Sequence, residues 1–288
     1  MTLRRYKQAL GVTGLILAVS CALTVLTFIS ARHEQTRVIA LDVGQGDSTL
    51  IITQRHQYIL IDGGPDSSVL NRLGRDLPFF AHSIDVVIAT HPDSDHIAGL
   101  ISVLGRYDVG VFIEPGIVHD SDTNRTLSDV VSKRGVPIRY ADGPFDIILD
   151  QDTRLRVLYP LQSLVNTTTD DTNNASVVAQ FSYGNVRALL TGDAPEAVEF
   201  LLIETYGSDL ESQVLKLGHH GSNTSSSERF LETVSPALAL ISVGANNRYG
   251  HPAYRVLHRL DQLHIPFMRT DTMGDIRVTF GQDDFIAE

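Results

Sequence analysis

THPDSDHIAG, residues 90–99, packs two histidines and two aspartates into six positions directly behind the apolar run Val86–Ala89. A short apolar run of this kind reads as a fully buried strand. Its end delivers His91, Asp93, Asp95 and His96 together to the edge of a sheet. Imidazoles and carboxylates so close together repel or stay unpaired unless a cation binds between them. The alternate spacing of His91 and Asp93, with the adjacent Asp95–His96 pair able to reach a second ion, suits divalent metals. The plain reading, a polar loop with chance histidines, is disfavoured because further ligand types recur downstream in similar settings.

Leu60–Gly64 (LIDGG) puts Asp62 at a strand end, and Leu189–Asp193 (LLTGD) does the same for Asp193. Leu215–Ser222 (LKLGHHGS) presents His219 and His220 between glycines that let the backbone approach closely. Gly250–Pro252 (GHP) presents His251 ahead of a helix. Taken singly, Asp62 is a turn residue and Asp193 could cap the helix that begins near Pro195. The His pair is a weak motif, and His251 could be an exposed loop residue. Their combination with residues 90–99, in this order, points to a metal site.

Strand-like runs cover Val38–Val43, Ser48–Thr53, Tyr58–Ile61, Asp108–Ile113, Pro137–Tyr140 and Leu155–Leu158. A hairpin is expected over Ser176–Ser182 and Val186–Thr191, with later strands at Gln213–Leu217, Ala237–Ser242, Pro266–Arg269 and Ile276–Phe280. Helices are expected at Leu70–Phe80, Ala98–Arg106, Leu127–Lys133, Ala197–Tyr206, Glu228–Val234 and Tyr254–Leu263, and a polar loop at Asn166–Asn174. Strand-rich halves each followed by helices suggest two sheets face to face with helices outside.

The chain has 288 residues, 43% hydrophobic and 20% charged, enough apolar material for one large core. Its formal charge is −11. The first 32 residues hold four of the 23 basic side chains and none of the 34 acids, leaving 19 against 34 and a net of −15. Such a surface does not attract nucleic acid by bulk electrostatics, so a polyanionic substrate must be held by the metal site and a few basic residues. The single cysteine, Cys21, lies in the N-terminal apolar segment, so no zinc site in the remainder can use thiolate.

No residue from Gln8 to Ala31 is charged. As a helix those residues would span about 36 Å, enough to cross a bilayer core. Arg4, Arg5 and Lys7 precede the stretch, which by the positive-inside rule leaves the N-terminus in the cytoplasm and the domain outside. The expected organisation is a cytoplasmic 1–8, a single-pass anchor at 9–31, a linker at 32–37 and one catalytic domain at 38–288. Secretion after signal-peptide cleavage is the alternative, against which stands an apolar stretch longer than the usual 7–15 residues.

With LDVGQGDS at residues 41–48, the set LIDGG, THPDSDHIAG, LLTGD, LKLGHHGS and GHP resembles the metallo-β-lactamase superfamily. It is most similar to the branch that forms the C-terminal domain of ComEC-type competence proteins. The resemblance implies an α/β fold, an αββα sandwich with two divalent ions, Zn²⁺ or Mn²⁺, in a cleft along one edge. His91 and Asp93 would ligate the first ion and Asp95 and His96 the second, with Asp193 bridging both and His220 completing the second site. Asp62 would orient the ligand loop from behind. Asp93 stands where the family's usual motif has a second histidine, which shifts preference toward harder ions. No histidine lies between Asn166 and Ser176, where the superfamily places another ligand, so either Asn174, Asp170 or Asp171 would stand in for it or the first ion would be held weakly.

The activity implied is metal-dependent hydrolysis of a phosphodiester, single-stranded DNA or an envelope phosphodiester, by a metal-bridging hydroxide. Asp95, His219 and His251 would assist at the reacting centre. A non-catalytic, metal-stabilised module binding DNA or a partner is the alternative, and β-lactam hydrolysis a weaker one. With a single candidate span the chain is not expected to form a DNA-import pore by itself.

Overall fold

The computed structural model describes residues 3–30 and 35–288, with backbone alone at 3–10 and 25–30, so 32–34 of the expected linker lie outside the described residues. The chain divides into two compact units, Met1–Glu34 and Gln35–Glu288. The first unit contains the helix α1 (Leu3–Ser30), with Gly11–Thr24 exposed. Among the described residues no helix is long and apolar enough to cross a membrane. The structure therefore gives a helix over the expected anchor without identifying a span.

In the second unit the first six strands build one sheet: β1 (Thr36–Ala40), β2 (Thr49–Ile52), β3 (Tyr58–Ile61), β4 (Ser83–Ile88), β5 (Asp108–Glu114) and β6 (Ile138–Tyr140). The next seven build the other: β7 (Phe145–Ile148), β8 (Thr153–Tyr159), β9 (Val178–Tyr183), β10 (Val186–Leu190), β11 (Val214–Lys216), β12 (Leu238–Ile241) and β13 (Phe267–Arg269). The last two, β14 (Ile276–Phe280) and β15 (Phe285–Ala287), return to the edge of the first sheet beside β1. Helices α2 (Ser68–Asp76), α3 (Ser94–Arg106) and α4 (Asp122–Arg134) follow strands of the first sheet. Helices α5 (Glu196–Tyr206), α6 (Glu228–Val234), α7 (Tyr254–Gln262) and the short α8 (Thr270–Met273) follow strands of the second.

Alternation along the strands creates the layers, since successive side chains point to opposite faces. Val38 and Ala40 of β1 join Ile51, Ile59, Val157, Phe181 and Leu190 in the core between the sheets. Ile39 and Leu41 turn the other way, onto Leu73 of α2 and Leu100 and Val103 of α3. In the second sheet Leu189, Leu215 and Ala239 face outward onto Leu202, Phe230 and Leu260 of α5, α6 and α7. This is the expected αββα sandwich.

Two parallel blocks place the site. Strands β3, β4 and β5 run parallel, as do β10, β11 and β12, with Leu190 level with Lys216 and Lys216 level with Leu240. Ligand sites in such sheets form beyond the carboxyl ends of the strands, where Asp62, His91, Asp193 and the His219–His220 pair all fall. Gly99 lets α3 come close: a Cβ there would lie 1.9 Å from the Gly63 carbonyl oxygen. That approach allows Gly63 N–H to donate to His96 O at 2.7 Å and Gly99 N–H to Gly64 O at 2.9 Å, tying LIDGG to THPDSDHIAG.

Some boundaries differ from expectation. The helix expected over Leu70–Phe80 ends at Asp76, because Leu77 precedes Pro78 and takes an extended backbone. Helix α3 starts at Ser94, four residues early and directly after Asp93, so Asp95 and His96 ride on its first turn. Helix α4 extends back to Asp122 from a cap in which Ser121 Oγ accepts from Asn124 N–H. Strands β7 and β15 have no counterpart in the sequence reading; both are short and half exposed.

Candidate metal centre

Asp62 is buried at the end of β3 with φ +60°. Its Oδ1 accepts from Thr90 N–H at 2.8 Å, and its Oδ2 accepts from the Thr90 hydroxyl at 2.7 Å and lies 2.8 Å from His96 Nδ1. A carboxylate only accepts here, so His96 carries its proton on Nδ1 and turns Nε2 toward the cleft. The Thr90 hydroxyl proton is committed to Asp62, so the Thr90 oxygen accepts from His91 Nδ1–H at 3.0 Å. His220 Nδ1–H donates to the Ser242 carbonyl at 3.0 Å. Three imidazoles are thereby fixed in one tautomer, each with Nε2 free.

Those three Nε2 atoms, together with Asp193 Oδ1, are buried and have no hydrogen-bond partner. His96 Nε2 lies 3.3 Å and His220 Nε2 3.6 Å from Asp193 Oδ2, and His220 Nε2 lies 3.5 Å from Asp95 Oδ2. His91 Nε2 is 3.7 Å from Asp93 Oδ2. These separations are long for hydrogen bonds. An ion bound tetrahedrally at about 2.0–2.1 Å sets edges between its ligands of about 3.3–3.4 Å, so the donors are spaced as ligands of a shared cation. His91, His96 and Asp193 form one group with ligand atoms within 4.8 Å of each other, and Asp95, His96 and His220 a second. His96 belongs to both.

Within the cluster the carboxylates and imidazoles compensate each other's charge. Burial favours the neutral acid of Asp193, but His96 and His220 outweigh it and hold its carboxyl well below the usual range. Burial likewise opposes protonation of His220, but Asp193 and Asp47 push it up to about 10. His91 is lowered by burial and by His96. A dication can replace the protons on His96 and His220 against the same carboxylates, so the donor set fits a metal.

Of the remaining expected residues, Asp93 stands just ahead of α3 and accepts from Thr172 Oγ1 at 2.5 Å, with its side chain 36% exposed. His219 lies at the open side, Nδ1 3.0 Å from Thr224 Oγ1 and Nε2 3.9 Å from Asp193 Oδ2. His251 is half-buried, its ring centroid 5.7 Å from that of His219. Burial and the two neighbouring histidines lower its pKa. A cleft of about 130 Å³ joins Gln45, Asp93, Asp95, Asp193, His219, His220, Tyr249 and His251.

Adjacent residues of an extended segment would point opposite ways, but His219 and His220 are not extended. Their φ values are +50° and +55°, and both rings turn toward Asp193.

The stretch expected to replace the missing histidine enters the site by other residues than Asn174. A 3₁₀ turn spans Thr172–Ala175. Asn174 contributes its backbone, accepting at O from the Tyr159 hydroxyl at 2.8 Å. Asp171 Oδ1 caps the turn at Asn173 N–H, and Asp170 is exposed. Contact with the centre comes from Thr172 on Asp93 and from Ser176 Oγ, which is 3.4 Å from His91 Nδ1 and accepts from Asp193 N–H at 3.2 Å.

The sequence reading also leaves Asp47 and Lys216 without roles. Both are buried behind His220: Asp47 Oδ2 pairs with Lys216 Nζ, and Asp47 Oδ1 lies 3.4 Å from His220 Nδ1. Lys216 Nζ also donates to the carbonyls of Leu217 at 3.0 Å and Gly192 at 3.3 Å. A lysine inside an otherwise buried strand, and the single aspartate between Gly46 and Ser48, were the available signals.

A sequence model of the metallo-beta-lactamase superfamily matches residues 41–244. The chain is 30% identical over 297 aligned positions to ComE operon protein 3 of Bacillus subtilis (strain 168), covering 96% of this chain and 37% of that protein. It is also 30% identical over 282 positions to Competence protein ComA of Neisseria gonorrhoeae, again covering 96% and 37%. It thus spans little more than a third of these relatives, which are of the ComEC type. Among solved structures it is similar to Igni18, a metallo hydrolase from the archaeon Ignicoccus hospitalis. The TM-score is 0.51 at 12% identity, over 88% of this chain and 99% of that one, a likeness of fold.

Proposed function

The chain belongs to the metallo-beta-lactamase superfamily, and on that premise we propose that it is a two-metal phosphodiesterase acting on single-stranded DNA or an envelope phosphodiester. Metal-dependent hydrolysis is the general activity of the superfamily. The observation that carries the finer reading is the convergence of His91 Nε2, His96 Nε2, His220 Nε2 and Asp193 Oδ1, all buried and unpartnered. Similarity to competence proteins supports a substrate derived from DNA.

In this reading His91 and Asp93 would hold one ion and Asp95, His96 and His220 the other, with Asp193 available to both. When bound, the two cations would lower the pKa of a water and offset negative charge developing on phosphorus. The chain supplies the rest. Asp62, Thr90 and the Ser242 carbonyl keep three histidines in the tautomer that leaves Nε2 free. His219 and His251, at the open side of the cleft, are placed to donate to a phosphoryl oxygen or the leaving group. Asp93 favours a harder ion, which makes Mn²⁺ a competitor of Zn²⁺. The helix at Leu3–Ser30, with Arg4, Arg5 and Lys7 in its first turns and no charge from Gln8 onward, is proposed as a single-pass anchor holding the domain outside the membrane.

The test is metal analysis of the purified full chain, with assays on bis(p-nitrophenyl) phosphate and single-stranded DNA. Up to two divalent ions and chelator-sensitive cleavage are expected, and Asp193→Ala should lower occupancy of both sites. A metal-replete wild type that cleaves neither substrate with Zn²⁺ or Mn²⁺ would leave a non-catalytic, metal-stabilised binding module.

A further inference from the structure

Tyr249 lines the same cleft as the proposed metal ligands and is 55% exposed. Its ring stacks on His251, with centroids 5.8 Å apart and planes 13° from parallel. His251 in turn lies 5.7 Å from His219 and 6.5 Å from His220, so a row of rings leads from the centre to the lip. The Arg248 guanidinium carbon is 5.1 Å from the Tyr249 centroid, and Arg248 donates to the tyrosine hydroxyl at 3.0 Å.

The loop carrying these residues is clamped by one side chain. Asn247 Oδ1 accepts from Tyr249 N–H at 3.2 Å and His251 N–H at 3.0 Å, while its Nδ2 donates to the carbonyls of Gly244 at 3.0 Å and His251 at 2.6 Å. The aromatic ring is thus held out at the cleft rather than folded into a core.

We propose that Tyr249 is a stacking platform for a nucleobase beside the metal centre, which makes the substrate single-stranded nucleic acid rather than a base-free phosphodiester. The proposal rests on the phosphodiesterase reading. Base-on-aromatic stacking tolerates any base and does not depend on a basic groove. That suits a domain of net charge −15, in which backbone electrostatics supply little attraction. Arg248 adds a cation beside the stack.

The chain contains no tryptophan, so Tyr249→Trp in the full chain creates a single-site fluorescent reporter. Stopped-flow mixing with an oligothymidylate of about eight nucleotides, a typical footprint, should quench it saturably before turnover. An abasic chain of the same length and a poly(glycerol phosphate) should not. Equal quenching by the base-free polymers, or none by the oligothymidylate, would overturn the platform.

A second arm compares steady-state cleavage. Tyr249→Ala should raise KM for the oligothymidylate about tenfold or more, the scale of one lost stack, and shrink the preference over the abasic chain. Tyr249→Phe should keep both. An unchanged preference in Tyr249→Ala also overturns the proposal. Wild type that cleaves neither polymer removes the phosphodiesterase reading instead, and the quenching then decides the platform alone.

Discussion

Lys216 and Asp47 form an ion pair with both side chains almost wholly buried, and Asp47 reaches past it toward His220 Nδ1. Burial disfavours the ionised carboxylate, but Lys216 and His220 hold Asp47 well below the usual carboxylate range. Removing one partner of a buried pair leaves an uncompensated charge. Lys216→Met should therefore cost about 3–5 kcal/mol, and the double variant Asp47→Asn/Lys216→Met should recover much of it. Urea denaturation of the three chains measures both effects. A loss for Lys216→Met below about 1 kcal/mol, or a double variant no better than the single one, would show that the pair does not carry this charge balance.

The Asp62 carboxylate spends both oxygens on Thr90 and His96. Asp62→Ala leaves His96 free to rotate or change tautomer and releases the Thr90 hydroxyl that orients His91. Metal affinity should fall about 10- to 100-fold, read by competition with a chromophoric chelator. Affinity equal to wild type would mean that His96 is held by packing alone.

How much of this was legible beforehand follows from the range of the interactions. The ligands of residues 90–99 show in the sequence because one strand end and one helical turn carry them, so spacing reports geometry directly. The layers were equally legible, because strand-rich halves each followed by helices fit two sheets face to face with helices outside. Asp47 and Lys216 were not: nothing local relates a turn aspartate to a lysine in β11, and the pair exists only where the two sheets meet at the cleft. The left-handed backbone at His219 and His220, which turns both rings toward Asp193, has no signal in the residues themselves. The role of Thr172 and Ser176 stayed hidden because hydroxyls in a polar loop look like solvent-facing residues until the fold brings them to Asp93 and His91.

Glu199 accepts from the backbone amides of Ser226 and Ser227 in the loop that follows the histidine pair. Burial raises its pKa despite those bonds. For an acid raised in the folded state, the stabilising contribution is full below the unfolded value and is lost as pH rises through the folded one. Stability of Glu199→Gln relative to wild type should therefore shift in favour of the variant between about pH 4 and about pH 7. Urea midpoints at the two pH values decide it, and a shift toward wild type would reverse the assignment.

Basic residues precede the uncharged stretch at Gln8–Ala31, so the proposed anchor should leave the domain outside the cytoplasmic membrane. A C-terminal alkaline phosphatase fusion should be active and should sediment with membranes. An inactive fusion alongside a fluorescent C-terminal green fluorescent protein would invert the topology. Activity released into the soluble fraction would instead favour a cleaved signal.

His220 and His219 are adjacent but differently placed. His220 is buried, fixed by the Ser242 carbonyl, and its unpartnered Nε2 lies between Asp95 and Asp193. His219 is 27% exposed on its side chain, and its Nε2 stands 3.9 Å from Asp193 on the open side. Loss of a ligand removes metal and turnover together. Loss of a donor to the reacting group lowers turnover by about 10²–10³ and leaves metal largely in place. His220→Ala should behave in the first way and His219→Ala in the second, with metal content and phosphodiester cleavage measured on the same preparations. The reverse pattern would exchange the two roles. Equal loss of metal in both variants would make His219 a ligand as well, consistent with both rings turning toward one carboxylate oxygen.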